Sequence, residues 1–353
     1  MAILTVLGAG MMGSSLCVPL VDRGHDVRLV GTHLDAEIVQ SLKRDHTHPK
    51  LKLELPHAIR PFYLEELDAA MAGADAILLG VSSAGVTWAG TAIADYVTAQ
   101  RPILMVSKGL SFEGGRLRVL PDVLRDSLPP EKAGGVQPAA VAGPCIAGEL
   151  ARRVDTCVVF TGRNQPELDR LKAWIGGGYY HVFTSTDVVG VEACAALKNA
   201  YAMGIAFASG LHARAGGEPG SIATHNYEAG VFAQAIVEMQ LLVKVIGGSP
   251  NSAIGLAGVG DLNVTCNGGR TGRFGRLLGM GLGVEESIRR MEGATLECLE
   301  ILAALERALP VLLAAGSVRG DQLPLLEHMI AVALHDAPVA MPFDAFHPAS
   351  SLS

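Results

Sequence analysis

One lysine stands out by its setting. The segment Gly190-Val191-Glu192-Ala193-Cys194-Ala195-Ala196-Leu197-Lys198-Asn199 is otherwise mostly small and apolar, and periodic enough to be helical. Lysine and glutamate are seldom fully buried without a partner. A desolvated amine holds its proton less tightly and can act as an acid/base group near neutral pH. A lysine whose stem snorkels along an amphipathic helix fits the same segment. The segment alone leaves both possibilities open.

A second pattern, Gly8-Ala9-Gly10-Met11-Met12-Gly13, matches GxGxxG and sits between a strand-like Ala2–Leu7 and a helical stretch. In that context Gly8 serves a tight turn, Gly10 admits a pyrophosphate close to backbone, and Gly13 lets helix pack on strand. The N–H groups at the helix start, around Met11 and Met12, then hold the anion. An acid at the end of the next strand would grip a ribose 2′-OH, and an arginine would favour a 2′-phosphate. Here that strand ends Val30-Gly31-Thr32-His33, and Asp35 comes late enough to be a helix cap. Thr32 and His33 tolerate a phosphate, so the cofactor is NAD or NADP with a slight lean to NADP.

The elements that must position these residues alternate in the first half. Strand candidates are Ala2–Leu7, Asp26–Val30, Ala76–Val81, Pro102–Val106, Ala139–Ala142, Thr156–Phe160 and Tyr179–Phe183, with helices between most of them. That predicts an α/β fold, an N-terminal Rossmann-type doubly wound sheet over residues 1–187. Lys43 to Arg60 lapses into His, Pro and Lys and reads as a variable excursion. An all-α C-terminal domain, 188–345, is expected to follow, with loops at His212–Asn226 and Asn267–Gly272 and a frayed tail at 346–353. At 353 residues two domains are the natural expectation.

Net charge of −7 speaks against a nucleic-acid-binding surface. Six scattered cysteines without a CxxC pair suit a reduced cytosol, and eleven histidines form no metal-spaced pair, so no metal is expected. The start has no signal-peptide pattern, and no uninterrupted apolar run reaches spanning length. A cytoplasmic protein is expected.

Four further segments complete a set: Val106-Ser107-Lys108-Gly109-Leu110, Ala142-Gly143-Pro144-Cys145, Gly258-Val259-Gly260-Asp261-Leu262 and Thr265-Cys266-Asn267-Gly268-Gly269-Arg270. In order and spacing, over about residues 2–310, the chain resembles the NAD(P)-dependent glycerol-3-phosphate dehydrogenases. The resemblance implies that Lys198 is the catalytic acid/base and that Lys108 contacts substrate and cofactor. It implies that Asp261 is a substrate-side carboxylate able to orient Lys198. It gives Arg270 to the substrate phosphate and cofactor, which suits a guanidinium fork, and places Glu292 and Ala147 at cofactor positions. A cation at Lys108 would lower the pKa of Lys198, and Asp261 would oppose that. A small phosphorylated substrate and a homodimer are further implications.

Departures from the family bear on the substrate. Cys145 stands where Ser or Thr usually follows Gly143-Pro144, and a thiol is the poorer hydrogen-bond donor. Arg270-Thr271 replaces an Arg-Asn pair, with Thr271 expected beside the substrate. Glu228 and Gln234 replace basic residues in the Asn226…Glu238-Met239 segment, which would alter the rim of the phosphate subsite. Three functions are therefore carried forward: glycerol-3-phosphate dehydrogenase, a related dehydrogenase of another phosphorylated polyol or hydroxy acid, and a non-catalytic nucleotide sensor. Retention of Lys198, Lys108, Asp261 and Arg270 disfavours the sensor.

Overall fold

The computed structural model describes residues 1–218, 222–267 and 269–346. The tail expected to fray lies, from 347 on, outside them. The chain gathers into two compact units, one formed by Met1–Lys108 with Leu120–Val188, the other by Gly109–Val119 with the residues from Val189 on.

The first unit is built on an eight-stranded sheet. Its strands are β1 (Ile3–Leu7), β2 (Asp26–Val30), β3 (Ile59–Phe62), β4 (Ala76–Leu79), β5 (Ile103–Met105), β6 (Ala139–Ala142), β7 (Thr156–Thr161) and β8 (Tyr180–Ser185). In space they run β3-β2-β1-β4-β5-β6-β7-β8, parallel except where β7 meets β6. The first six strands follow the dinucleotide-binding order, which reverses between β1 and β4. Burial on both faces explains the near-continuous apolar runs of β4 and β6. On one face Leu4 and Val6 pack with Leu16 and Leu20 of α1 (Met11–Asp22). On the other, Leu7, Ile77 and Leu79 pack with Ile93 and Leu124.

Two hairpins and one edge strand are not legible as strands in the sequence. The excursion holds a small hairpin, Thr47–His48 with Leu53–Glu54, and then enters β3. Pro61 reads as a breaker, yet β3 pairs only with β2, and an edge strand tolerates a residue without an N–H. The hairpin Leu110–Glu113/Arg116–Val119 turns on Gly114 and Gly115, at φ +57 and +76, the two positive angles a tight two-residue turn demands. It belongs to the helical unit, where the Arg307 guanidinium lies 5.9 Å from the Phe112 ring centroid.

The second unit is helical, with α2 (Val188–Arg214), α3 (His225–Ile246), α4 (Asp261–Cys266), α5 (Arg270–Gly279), α6 (Glu297–Ala314) and α7 (Pro324–His335). Its loops are shorter than expected. His212 is helical, α3 starts at His225, and Arg270 and Thr271 form the first turn of α5. Glycines elsewhere in the unit let backbone pack on backbone. A Cβ on Gly248 would lie 2.4 Å from Gly190 Cα, so the end of α3 sits directly on the start of α2. Gly275 and Gly279, four apart on α5, lie over the carbonyls of Met203 and Phe207, four apart on α2; an added Cβ would reach 2.3 and 2.4 Å from those oxygens.

Among the described residues, α3 alone is long and apolar enough by composition to cross a bilayer, with mean hydropathy 1.6 in its most apolar window. Its inner face buries Gln234 and Glu238 beside Val231, Ala235, Met239 and Leu242, as a core helix does. Gly275→Ala and Gly279→Ala should each destabilise the protein by about 1–3 kcal/mol through overpacking. Gly230→Ala on α3, whose new Cβ meets only a Phe343 ring atom at 4.0 Å, should be neutral or stabilising. Urea midpoints check this; equal losses at all three positions would contradict the packing account.

Candidate active site

The turn after β1 is shaped by three glycines, one of which had no sequence signal beyond following an apolar strand. Gly8 sits at φ +113, and a Cβ there would be 2.7 Å from the backbone of Gly80. One on Gly13 would lie 2.1 Å from Gly8 O, and one on Gly80 would lie 2.8 Å from Gly13 Cα. Gly10 differs: an added Cβ would meet nothing within 4 Å. It is the N-cap of α1 and makes no side-chain cap bond, so no side chain of its own covers the helix start. Open backbone at a helix N-terminus fits a pyrophosphate.

Asp35 occupies the N-cap position of the following helix, Ala36–Asp45, as expected, but its side chain makes no capping bond there. Its Oδ2 accepts from Ala9 N–H at 3.1 Å, Thr32 N–H at 2.9 Å and Thr32 Oγ1 at 2.8 Å. The Thr32 hydroxyl also accepts from Leu34 N–H, and the exposed His33 ring packs edge-on against Trp88. Lys108, Gly143, Cys145 and Ala147 all follow the carboxyl ends of β5 and β6, the edge of such a sheet where ligands sit. Just before Lys108, Ser107 Oγ donates to Val81 O at 2.7 Å and ties the ends of β4 and β5 together. Gly143 takes φ +118 immediately after β6, and Cys145 is half-buried.

In the helical unit Lys198 sits midway along α2, 8 % exposed, so it is no snorkelling surface residue. Its Nζ lies 2.9 Å from Asp261 Oδ1 and donates to Thr265 Oγ1 at 2.7 Å. Thr265 in turn donates to the Asp261 carbonyl at 2.7 Å, one helical turn back on α4. A buried ammonium is thus met by a buried carboxylate and an oriented hydroxyl, which its desolvation requires. Asp261 is delivered by a π turn, Leu256–Gly260, in which Gly260 N–H reaches back five residues to Gly255 O. The turn needs Gly258, whose Cβ would lie 1.9 Å from Ala253 O. Thr265 was not singled out from sequence, although it opens one of the quoted motifs. Next to it, burial pushes the Cys266 thiol up to about 12, against the pull of Lys198, so it stays protonated.

Other expected residues are placed differently. The Arg270 guanidinium, at the start of α5, lies 3.3 Å from Glu297 Oε1. Thr271 beside it is turned inward, 5 % exposed and close to the buried Cys298. Glu292 is exposed in a left-handed turn at φ 52. Gln234, expected at the rim of the phosphate subsite, is fully buried and donates to Glu238 Oε1 at 2.8 Å. Four residues apart on α3, the two share its inner face. Glu238 also accepts from Tyr201 OH and from the N–H groups of Leu325 and Leu326, capping α7.

Comparison with known proteins covers both units. Residues 3–168 match the model described as NAD-dependent glycerol-3-phosphate dehydrogenase N-terminus, and residues 187–342 match its C-terminus counterpart. An NADP(+)-dependent glycerol-3-phosphate dehydrogenase of Archaeoglobus fulgidus is 36% identical over 87% of this chain and 88% of its own length. A glycerol-3-phosphate dehydrogenase [NAD(P)+] of Enterococcus faecalis is 30% identical over 87% and 88%. The crystal structure of glycerol-3-phosphate dehydrogenase from Coxiella burnetii superposes with TM-score 0.78 at 26% identity, covering 98% of this chain and 97% of that one.

The Glu238 network generates a pH prediction. Burial pushes this carboxyl up to about 7, and the hydrogen bonds it accepts only partly offset that. A folded-state pKa above the unfolded value contributes stability at low pH that is lost as pH rises through about 7. Wild-type stability measured against Glu238→Gln should therefore fall from pH 5 to about pH 7 and level off above that, as followed by urea midpoints. Parallel pH profiles for the two proteins would contradict the assignment.

Proposed function

The chain belongs to the NAD-dependent glycerol-3-phosphate dehydrogenase family, and on that premise we propose that it interconverts dihydroxyacetone phosphate and glycerol 3-phosphate by hydride transfer. The observation that carries this is Lys198, buried and held by Asp261 and Thr265. The nicotinamide coenzyme, when bound, supplies or accepts the hydride. Lys198 gives a proton to the ketone oxygen during reduction and takes it back during oxidation. Asp261 keeps a countercharge beside the ammonium, and Thr265 fixes one of its N–H directions. Removing one buried partner is costly because the other charge stays behind.

The remaining roles follow the family motifs. Arg270 receives the substrate phosphate, which its fork-shaped donor set suits. Lys108 serves substrate and coenzyme from the carboxyl edge of the sheet, and Gly143 and Cys145 line the substrate. Thr271, buried at the first turn of α5, steadies the turn that presents Arg270. Ala147 and Glu292 contribute to the coenzyme site.

The coenzyme is NAD(P), with NADP favoured on two grounds. The A. fulgidus relative carries that name, and the one acid in the turn after β2, Asp35, is committed to Ala9 and Thr32. A homodimer in the reducing cytoplasm completes the proposal; all six cysteines are free thiols, which suits that compartment.

A substrate panel run with NADH and NADPH tests the assignment. Dihydroxyacetone phosphate should be reduced, NADPH should be preferred, and unphosphorylated dihydroxyacetone should react poorly. Stronger turnover of another phosphate ester would overturn the substrate, and coenzyme binding without any turnover would leave a sensor. Thr265→Val should lower kcat by about tenfold or more with coenzyme affinity unchanged, while Thr265→Ser should retain most activity. A fully active valine variant would remove Thr265 from the mechanism.

A further inference from the structure

The excursion between β2 and β3 carries a residue that reaches the back of the coenzyme turn. His48, in the small hairpin, is fully buried. Its Nδ1 accepts from Leu51 N–H at 3.1 Å, and its Nε2 lies 3.1 Å from Ala9 O. An imidazole accepting at Nδ1 carries its proton on Nε2, so His48 donates to Ala9. The same carbonyl accepts from Ser14 Oγ at 3.0 Å, while Ala9 N–H is held by Asp35 at 3.1 Å. The residue between the first two glycines of the fingerprint is therefore gripped at both backbone groups, by side chains from the hairpin, from α1 and from the turn after β2.

The peptide plane transmits that grip. Ala9 C=O and Gly10 N–H belong to one trans peptide, so they point in opposite directions. Pulling the carbonyl towards His48 and Ser14 aims the Gly10 N–H away from them, and Gly10 is the fingerprint glycine whose side-chain position is open. We propose that His48 is a positioning residue for coenzyme binding, fixing the Ala9–Gly10 peptide so that its N–H faces the pyrophosphate. The inference rests on the NAD(P) assignment made above. The hairpin keeps the ring in place: Lys52 N–H closes it on His48 O at 2.8 Å, and Leu51 and Leu55 anchor it in the core.

Two near-isosteric variants separate the two ring nitrogens. His48→Gln puts an amide nitrogen near the position of Nε2, keeping a donor for Ala9 and losing the acceptor for Leu51. His48→Asn keeps an acceptor near Nδ1 and cannot reach Ala9. NADPH affinity by fluorescence titration, kcat at saturating coenzyme and thermal midpoint would be measured for both. The glutamine variant should bind within about threefold of wild type and the asparagine variant about tenfold more weakly, both with kcat within about twofold. Equal weakening in the two, tracking loss of thermal midpoint, would make His48 a support of the hairpin only and overturn the proposal, as would unchanged affinity in both. Should a histidine variant not fold, Ser14→Ala questions the same carbonyl: weaker NADPH binding supports the account and unchanged binding overturns it. A wild-type protein that binds neither NADH nor NADPH would overturn the coenzyme assignment itself.

Discussion

Taking an ammonium out of water costs several kcal/mol unless countercharge and hydrogen bonds replace the lost solvent. Lys198 meets that condition through one short helix, with the Asp261 carboxylate at 2.9 Å and the Thr265 hydroxyl at 2.7 Å. Much of the helical unit can be understood as what brings α2 and α4 to that separation. The π turn before Asp261 presses Gly258 onto Ala253, Gly248 seats the end of α3 on Gly190, and Gly275 and Gly279 let α5 lie on the carbonyls of α2. Each contact excludes a side chain larger than hydrogen. Backbone packed on backbone holds its position better than packing through long side chains, and a proton donor needs that fixity.

The same unit solves a second buried charge differently. Glu238 has Gln234 one turn before it, and it accepts from hydroxyl, amide and backbone N–H groups. Without a cation among them the carboxyl titrates near neutrality, whereas Lys198 has a carboxylate in contact. In the sheet unit, control is exerted on neutral backbone. Gly8, Gly13 and Gly80 close the turn sterically, and His48, Ser14 and Asp35 fix the direction of one peptide.

What could be seen in the sequence was what is local. The fingerprint from Gly8 to Gly13 is a contiguous turn, and Lys198 advertised itself through its apolar neighbours. The alternation that predicted the sheet is likewise a short-range pattern. Long-range partners were hidden: Gly80, Asp35 and His48 lie 26 to 72 positions from the residues they contact, as in Gly8–Gly80, Ala9–Asp35 and Ala9–His48. Composition misled where one residue type has two uses. The loop expected from His212 to Asn226 is trimmed at both ends, since α2 runs on to Arg214 and α3 starts at His225, and Pro61 concealed an edge strand. Thr271 and Gln234 were placed by motif position, which gives no orientation; both face the core.

The central claim is that Lys198 supplies the proton that accompanies hydride transfer. Its most direct test is chemical rescue of Lys198→Ala, with small primary amines added to the assay. The variant should bind NADPH normally and lose about 10²–10⁴-fold in turnover. Added methylamine or ethylamine should restore part of that rate, in proportion to the concentration of the protonated amine during ketone reduction. A variant that keeps near-normal kcat, or one whose residual rate is indifferent to every amine tried, would contradict the account.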